Sequence, residues 1–402
     1  MFKLLLYNGR LITANGILES AYCYMEDGVI KEYGVGDIQV SEDTLEINVA
    51  NKYISAGFID IHIHGGGGYD FMDANVESFL GVANTHIKYG TTSMCPTTLT
   101  ADSEHLEKVL TVYEQANLHN SKGSKFLGLH LEGPYFAMNQ RGAQDPKYIR
   151  NPDYKEYSRI VEMSPHIIRW SSAPELPGAL EFGDFLTDRG IIAAFAHTEA
   201  LYDDIKLAFD HGYRLATHFY SAMLGVTRKN AHRYAGAVEA CYLIDEIDVE
   251  VIADGVHLPK PLLELIYKIK GSERIVLITD AMRAAGTHVN KSILGSLHDG
   301  IEVIVEDGVA KLADRSAFAG SIATANLLVR NFLNNTKASF PEVIKMITEN
   351  PARILGFAHR KGKIEKGYDA DVVVFDDNID VYLSIVEGHI KYNKLNFNSN
   401  ES

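Results

Sequence analysis

The feature that most constrains this chain is a series of eight apolar, strand-like segments: "SAGFIDIHIH", "GTTSMCPTT", "KFLGLHLEG", "IIRWSSAPE", "IIAAFAHT", "YRLATHFY", "VEVIADGVH" and "RIVLITDA". Segments apolar along most of their length are buried on both faces, as parallel strands covered by helices are. Most are followed by an amphipathic stretch. In "ADSEHLEKVLTVYEQA", Leu106, Val109, Leu110 and Tyr113 fall on one helical face. Eight such strand–helix units predict a (β/α)8 barrel, a TIM-like fold. A doubly wound parallel sheet is the alternative, but ligand-type residues end nearly every strand and no Gly-x-Gly-x-x-Gly follows the first.

The two ends of the chain read differently. "KLLLYNGRLIT", "ESAYCYMEDGVIKEYG" and "LEINVANKYI" near the start, and "GKIEKGYDADVVVFD" and "IVEGHIKYNKL" near the finish, are short strands broken by turns. Asn8-Gly9 and Asp27-Gly28 are expected to be hairpin turns. The reading is a small β-sandwich domain built from residues 1–53 and 359–402, flanking a barrel over 54–358, with the polar "NKLNFNSNES" fraying at the end. A net charge of −15 over 402 residues supplies no broad positive field. Nucleic acid and anionic membrane surfaces are therefore not expected as partners. Cys23, Cys95 and Cys241 lack paired spacing and read as reduced thiols, and no signal or membrane segment is evident, so a cytoplasmic protein is expected.

Chemistry in a barrel collects at the C-terminal ends of its strands. There this sequence places His62 and His64, Glu132, His197, His218, His257 and Asp280. Residues two apart on a strand point the same way, so His62 and His64 can reach one ion. Glu132, His197 and His218 add oxygen and nitrogen donors suited to Zn2+ or Fe2+. Such an ion acidifies water toward neutrality, and Asp280 can accept a proton and return it to a leaving group. An activated water, a Lewis acid and a proton shuttle make a hydrolase. The glycines Gly65 to Gly68 are expected to turn the chain beside this site without a Cβ crowding substrate; no Gly-Lys-Ser/Thr follows, which excludes a P-loop.

Taken together, "GFIDIHIHGGGGYDFMD", "GTTSMCPT", "GLHLEGPY", "AHTEA", "ATHFYSAM", "ADGVHLP", "ITDAMRAAG", "AGS" and "NPARILG…KGKIEKGYDADVVVFD" resemble the amidohydrolase superfamily, and within it the deacetylases of N-acetylated amino-sugar phosphates. The pieces run in that family's order from Gly57 to Asp376. The resemblance implies Glu132, His197 and His218 as the principal metal site. It implies His62 and His64 as ligands of a second ion where members hold two, so one or two divalent ions (Zn2+ or Fe2+) per subunit. Asp280 would be general base and then acid, and His257 would hydrogen-bond the acetyl carbonyl. The implied reaction is hydrolysis of N-acetylglucosamine 6-phosphate to glucosamine 6-phosphate and acetate, in a homodimer whose neighbour lends an arginine to the phosphate.

Three departures from the family pattern fall on substrate contacts. "RGAQ" puts Gln144 where a histidine is usual, and "SAM" puts Ser221, followed by Ala222, where an asparagine is usual. "MLGVTRKNAHRYAG" offers Arg233, or alternatively Arg228, as the phosphate arginine. The metal and base positions are intact. N-acetylgalactosamine 6-phosphate or another N-acyl amino sugar therefore stays open as substrate. A catalytically silent relative that only binds an amino sugar is the reading from another class, and the intact Asp280 argues against it, because binding needs no proton shuttle. A cyclic-amide hydrolase would need a metal-bridging lysine where "HLEGP" offers glutamate.

Overall fold

Gly57 divides the first apolar run between two sheets. In the computed structural model, which describes residues 2–13 and 15–395, Tyr53–Ala56 pairs within a sheet made from both chain ends, whereas Phe58–Ile63 opens a parallel series. That series is β1 (Phe58–Ile63), β2 (Thr91–Pro96), β3 (Leu129–Glu132), β4 (Ile167–Ser172), β5 (Ile192–Phe195), β6 (Leu215–Ala216), β7 (Asp248–Val251) and β8 (Ile275–Leu277). Each pairs in parallel with the next in sequence; a Thr97–His130 bridge joins the ends of β2 and β3. Beyond β8, the Asp280 amide donates to the His62 carbonyl at 2.9 Å, which brings the last strand's exit against the first strand.

Helices α1 (Val76–His86), α2 (Ser103–His119), α3 (Tyr154–Met163), α4 (Ala179–Thr187), α5 (Tyr202–Asp210), α6 (Ala237–Leu243) and α7 (Lys260–Lys270) fill the connections. Local sequence starts three of them. Asn75, Asp102 and Asp153 accept the backbone N–H of Ser78, His105 and Glu156, satisfying amides that a helix start leaves unpaired. The predicted stripe of α2 is buried as expected, Leu106, Val109, Leu110 and Tyr113 joining Ala116 against the strands. A smaller cluster including Ile59, Ile61, Cys95, Ala194, Leu215 and Val276 packs separately.

One expectation is corrected. The Asn8-Gly9 pair is not a hairpin turn: it lies inside the continuous strand Lys3–Thr13, where the register shifts. Glycine is required there because a Cβ on Gly9 would sit 2.5 Å from Ile54 Cδ1. Asp27-Gly28 does turn, between Gly16–Glu26 and Val29–Val35. The strands from both ends, expected to assemble together, form one continuous eight-stranded sheet. The reason is Tyr53–Ala56, which pairs with Lys3–Thr13 on one side and with Val372–Phe375 on the other. Of the terminal stretch expected to fray, 396–402 lies outside the described residues, while Asn393 pairs with Leu383.

One element was not read from the sequence. Between β8 and the helix Ala325–Asn335, four antiparallel strands (Lys291–Leu294, Ile301–Glu306, Val309–Leu312 and Phe318–Ser321) form a separate sheet. Arg283 fastens it. Its guanidinium donates to the Asp73 carboxylate at 2.7 and 2.9 Å, and to the carbonyls of Gly68, Ile293 and Gly295. No helix among the described residues is long and apolar enough to cross a membrane.

Arg283 is 5 % exposed, so its removal strands the Asp73 carboxylate in the interior. Arg283→Met is expected to cost about 3–5 kcal/mol of stability, read as a shift of the urea midpoint.

Candidate active site

The pleat of β1 turns His62 toward the strand ends, and His64 follows on the same side, with the two Nε2 atoms 3.2 Å apart. Glu132, the last residue of β3, lies between them and the next pair. Its Oε1 is 3.0 Å from His218 Nε2, 3.4 Å from His197 Nε2 and 3.6 Å from His62 Nε2, and its Oε2 is 3.5 Å from His64 Nε2. His197 and His218, each two residues beyond its strand, bring their Nε2 atoms within 3.2 Å. Asp280 Oδ1 stands 3.1 Å from His64 Nε2.

Three of these residues sit in the left-handed region: His197 at φ 47, His218 at φ 34 and Asp280 at φ 48. Side chains with a Cβ are strained there by about 1–3 kcal/mol each. The turns are held in place regardless, by Thr198 N to the Ala222 carbonyl, Ser221 N to the His218 carbonyl, and Asp280 between the His62 carbonyl and the Ser321 amide. These three turns aim the side chains of His197, His218 and Asp280 at one place, in a conformation that other turns of the chain also adopt.

The far nitrogen of most rings is fixed. Nδ1 of His197 donates to the Gln140 carbonyl at 2.8 Å, Nδ1 of His218 to the Ser221 carbonyl at 3.2 Å, and Nδ1 of His62 to Glu250 Oε2 at 3.1 Å. These bonds select the tautomer whose Nε2 lone pair faces inward. Two overlapping triads result, His62–His64–Glu132 and Glu132–His197–His218, all buried. Donors 2.0–2.1 Å from a tetrahedral ion lie about 3.3 Å from one another. The observed separations of 3.0 to 3.6 Å bracket that value, so the donor set fits a divalent cation.

The electrostatics follow from burial. Desolvation by itself would raise the Glu132 carboxyl, but the surrounding imidazoles outweigh it and hold the group well below the ordinary range. Asp280 is likewise lowered against its desolvation by His62, His64 and His218, and so stays an ionised acceptor. Burial pulls His64 down, yet its bond to Asp280 and the nearby Glu132 charge win, and the ring is pushed up to about 9.

The triads open into a cleft of about 280 Å³. His257 lines it, held by Asp254, whose Oδ2 accepts from Nδ1 at 2.7 Å while Oδ1 accepts the amides of Val256 and His257. Phe318, from the inserted sheet, packs against the imidazole at 4.7 Å between centroids. Ser221, Ala222 and Gln144 line the cleft as expected. Gln144 also does something its sequence position did not announce: its Nε2 donates to Glu132 Oε2 at 2.8 Å, and its Oε1 accepts from Thr100 N. Arg228 and Arg233 are not brought into the cleft. They face each other on the exposed hairpin Thr227–Lys229 and His232–Tyr234, and among the described residues no lysine or arginine lines the pocket. Gly67 and Gly68, at φ 65 and 93, make the expected turn, but Gly65 to Gly68 do not line the cleft. At Gly66 a Cβ would meet His86 Nε2 at 2.3 Å, so packing and backbone conformation, not substrate access, demand glycine.

Sequence reasoning missed Asp254, Glu250, Arg169 and Phe318. Asp254 carried a signal, three residues before His257 and within reach of capping its turn; Phe318 carried none without the inserted sheet.

A model of the Amidohydrolase family matches residues 53–400. The chain is 33% identical over 390 residues to the N-acetylglucosamine-6-phosphate deacetylase of Lysinibacillus sphaericus, covering 97% of this chain and 98% of that one. It is 32% identical over 382 residues to the N-acetylgalactosamine-6-phosphate deacetylase of Escherichia coli O157:H7, covering 95% and 97%. Its fold superposes with a TM-score of 0.89, at 28% identity and covering 98% and 100% of the chains, on an aspartate-to-alanine mutant of the Mycobacterium smegmatis N-acetyl-D-glucosamine-6-phosphate deacetylase in complex with N-acetyl-D-glucosamine-6-phosphate.

Zn2+ at a hundredfold excess over its Kd is expected to stabilise chelator-stripped protein by about 2.7 kcal/mol, read as a rise in Tm, and His218→Ala to abolish most of the rise. Because free His64 keeps its proton to about 9 from an ordinary 6.5, binding must displace that proton. Apparent metal affinity therefore rises with pH across this window, as titration calorimetry in buffers of different ionisation enthalpy checks.

Proposed function

The chain belongs to the amidohydrolase family, and from that membership and the geometry above we propose that it hydrolyses the N-acetyl group of N-acetylglucosamine 6-phosphate, releasing glucosamine 6-phosphate and acetate. The observation that carries the reading is the ionised Asp280 carboxylate, 3.1 Å from His64 and facing a cleft walled by both histidine–glutamate triads. A module that only binds its ligand has no use for a carboxylate held there in left-handed strain. The sequential parallel strands and the Asp280–His62 closure support reading the catalytic part as a (β/α)8 barrel. The chain ends, by the same reading, make the second, small β domain.

Glu132, His197 and His218 would hold a divalent cation, Zn2+ or Fe2+ by donor type, and His62 and His64 would hold a second; bound there, it would supply Lewis acidity and lower the pKa of water toward about 7. Asp280 takes the proton of the attacking water and later delivers it to the leaving amine. His257 donates from Nε2 to the acetyl oxygen as negative charge develops there. Its Nδ1–H bond to Asp254 Oδ2 orients the ring, and the Asp254 carboxylate balances positive charge on it. Gln144 keeps one Glu132 oxygen engaged while facing the sugar.

A dianionic phosphate needs a cation that the cleft itself does not supply. The exposed Arg228–Arg233 hairpin supports the reading that a second copy of the chain provides it, in a homodimer. The buried, unpaired thiols of Cys23, Cys95 and Cys241 suit a reducing, cytoplasmic setting. A second reading, N-acetylgalactosamine 6-phosphate as substrate, is favoured by the 32% identical relative with that name and by the altered sugar-side residues Gln144 and Ser221.

Acetate release from the two epimeric 6-phosphates, with and without chelator, tests the proposal. N-acetylglucosamine 6-phosphate is expected to be turned over in a chelator-sensitive way and the epimer more slowly; release from neither sinks it. Asp280→Asn is expected to lower kcat by about 10²–10⁴ while leaving metal content intact. Arg228→Ala and Arg233→Ala are expected to raise KM for phosphorylated sugars and to leave unphosphorylated ones unaffected.

A further inference from the structure

Beneath the ligand ring lies an ion pair that touches neither the cleft nor the reacting atoms. Arg169, from β4, and Glu250, from β7, are both fully buried. Arg169 Nη1 bonds Glu250 Oε1, and the guanidinium also donates to the Ile61 carbonyl at 3.1 Å and to Thr217 Oγ1 at 2.9 Å. Glu250 Oε2 accepts twice, from His62 Nδ1 at 3.1 Å and from the backbone amide of His218 at 3.2 Å. The pair thus grips His62 and His218, one histidine of each triad, and the residue preceding each.

We infer that Arg169 and Glu250 are positioning residues that make the His62–His64–Glu132 triad competent to hold its own cation. The inference rests on the metal-dependent reading above. The physical reason is tautomeric. Glu250 takes the His62 Nδ1 proton and so leaves the Nε2 lone pair directed at the ion, and a ring held by a carboxylate is the more basic ligand. In this triad nothing else does so, because Nδ1 of His64 is buried with no partner. A core has no energetic need of the pair, since well-packed apolar side chains of similar volume stabilise as well or better. Orientation of His62 is the function that only the charged pair performs.

Equilibrium dialysis of chelator-stripped protein against Zn2+, with metal per chain counted by mass spectrometry, tests this without substrate, so it stands or falls separately from the deacetylase activity. Wild type is expected to take up two ions. Glu250→Gln is expected to weaken one of them about 10- to 100-fold and spare the other. His62→Asn removes the same ion, and adding Glu250→Gln to it is expected to change nothing further, because the effect runs through His62. Should Glu250→Gln not fold, Arg169→Met with Glu250→Leu keeps the volume and makes the same comparison. In that variant, nitrogen NMR of the stripped protein is expected to show the His62 proton moving from Nδ1 to Nε2. A wild type that binds a single ion, an unchanged isotherm for the folded variants, or losses that multiply in the His62→Asn background would each overturn the inference.

Discussion

Glu132 is the constraint on which the site is organised. One carboxylate, 2 % exposed, lies within 3.6 Å of four imidazoles carried by strands that are far apart in sequence. Buried charges and inward-facing lone pairs at that density are costly unless a cation or shared protons satisfy them. The fold makes the convergence possible because each parallel strand lies beside its sequence neighbour and ends at the same rim. It makes the convergence rigid because Asp280 closes the last strand on the first through its own backbone. The left-handed turns at His197, His218 and Asp280 are the residual strain of forcing these residues to one point, and cross-strand hydrogen bonds on either side of each turn sustain it.

The site has two unlike halves. On the metal side, ligands come from strand ends and are tied by backbone carbonyls or by a buried carboxylate, so their geometry is set by the core. On the substrate side, Phe318 and Leu294 come from the inserted sheet, Ser221 and Ala222 from the turn after β6, and Gln144 from the long segment after β3. These residues ride on connections, which can change sequence without disturbing strand pairing. Two of the three departures from the family pattern, Gln144 and Ser221, fall in this second half, while the third lies on the exposed hairpin outside the cleft.

The sequence made the ligand set legible because its signal is local and repeated. His62 and His64 two apart on an apolar strand, and acids or imidazoles ending strand after strand, need no tertiary knowledge to be read. The stripe of α2 was legible for the same reason. The misreadings share a different cause, namely that tertiary packing overrides a local preference. Asn8-Gly9 has the composition of a turn, but Ile54 occupies the place of a Cβ and the strand runs through as a bulge. Gly65 to Gly68 suggested open access to substrate, but His86 and Tyr69 press against them. The inserted sheet alternates like any antiparallel meander, and the strand-helix rhythm around it hid it. Glu250 sits inside the apolar "VEVIAD", where only its contacts with Arg169 and His62 give it meaning.

Electrostatics joins the two halves. A phosphorylated sugar approaches a chain of net charge −15 through a cleft in whose wall, among the described residues, there is no lysine or arginine. On the proposed reading, attraction comes from a divalent cation held at its floor and from positive charge supplied from outside its wall. The floor lies under buried imidazoles in a low dielectric, where one divalent ion acts strongly on the acetyl group and only weakly, through screening solvent, on a phosphate at the far end of the sugar. By the same reading, charge supplied from outside the wall sets affinity for the phosphate, while charge at the floor sets the rate of amide cleavage. Arg228 and Arg233 can then, as proposed, serve the phosphate from an exposed hairpin outside the cleft without compromising the chemistry. Such a separation also fits the departure of Gln144 and Ser221 from the family pattern beside intact pattern positions at Glu132, His197, His218 and Asp280.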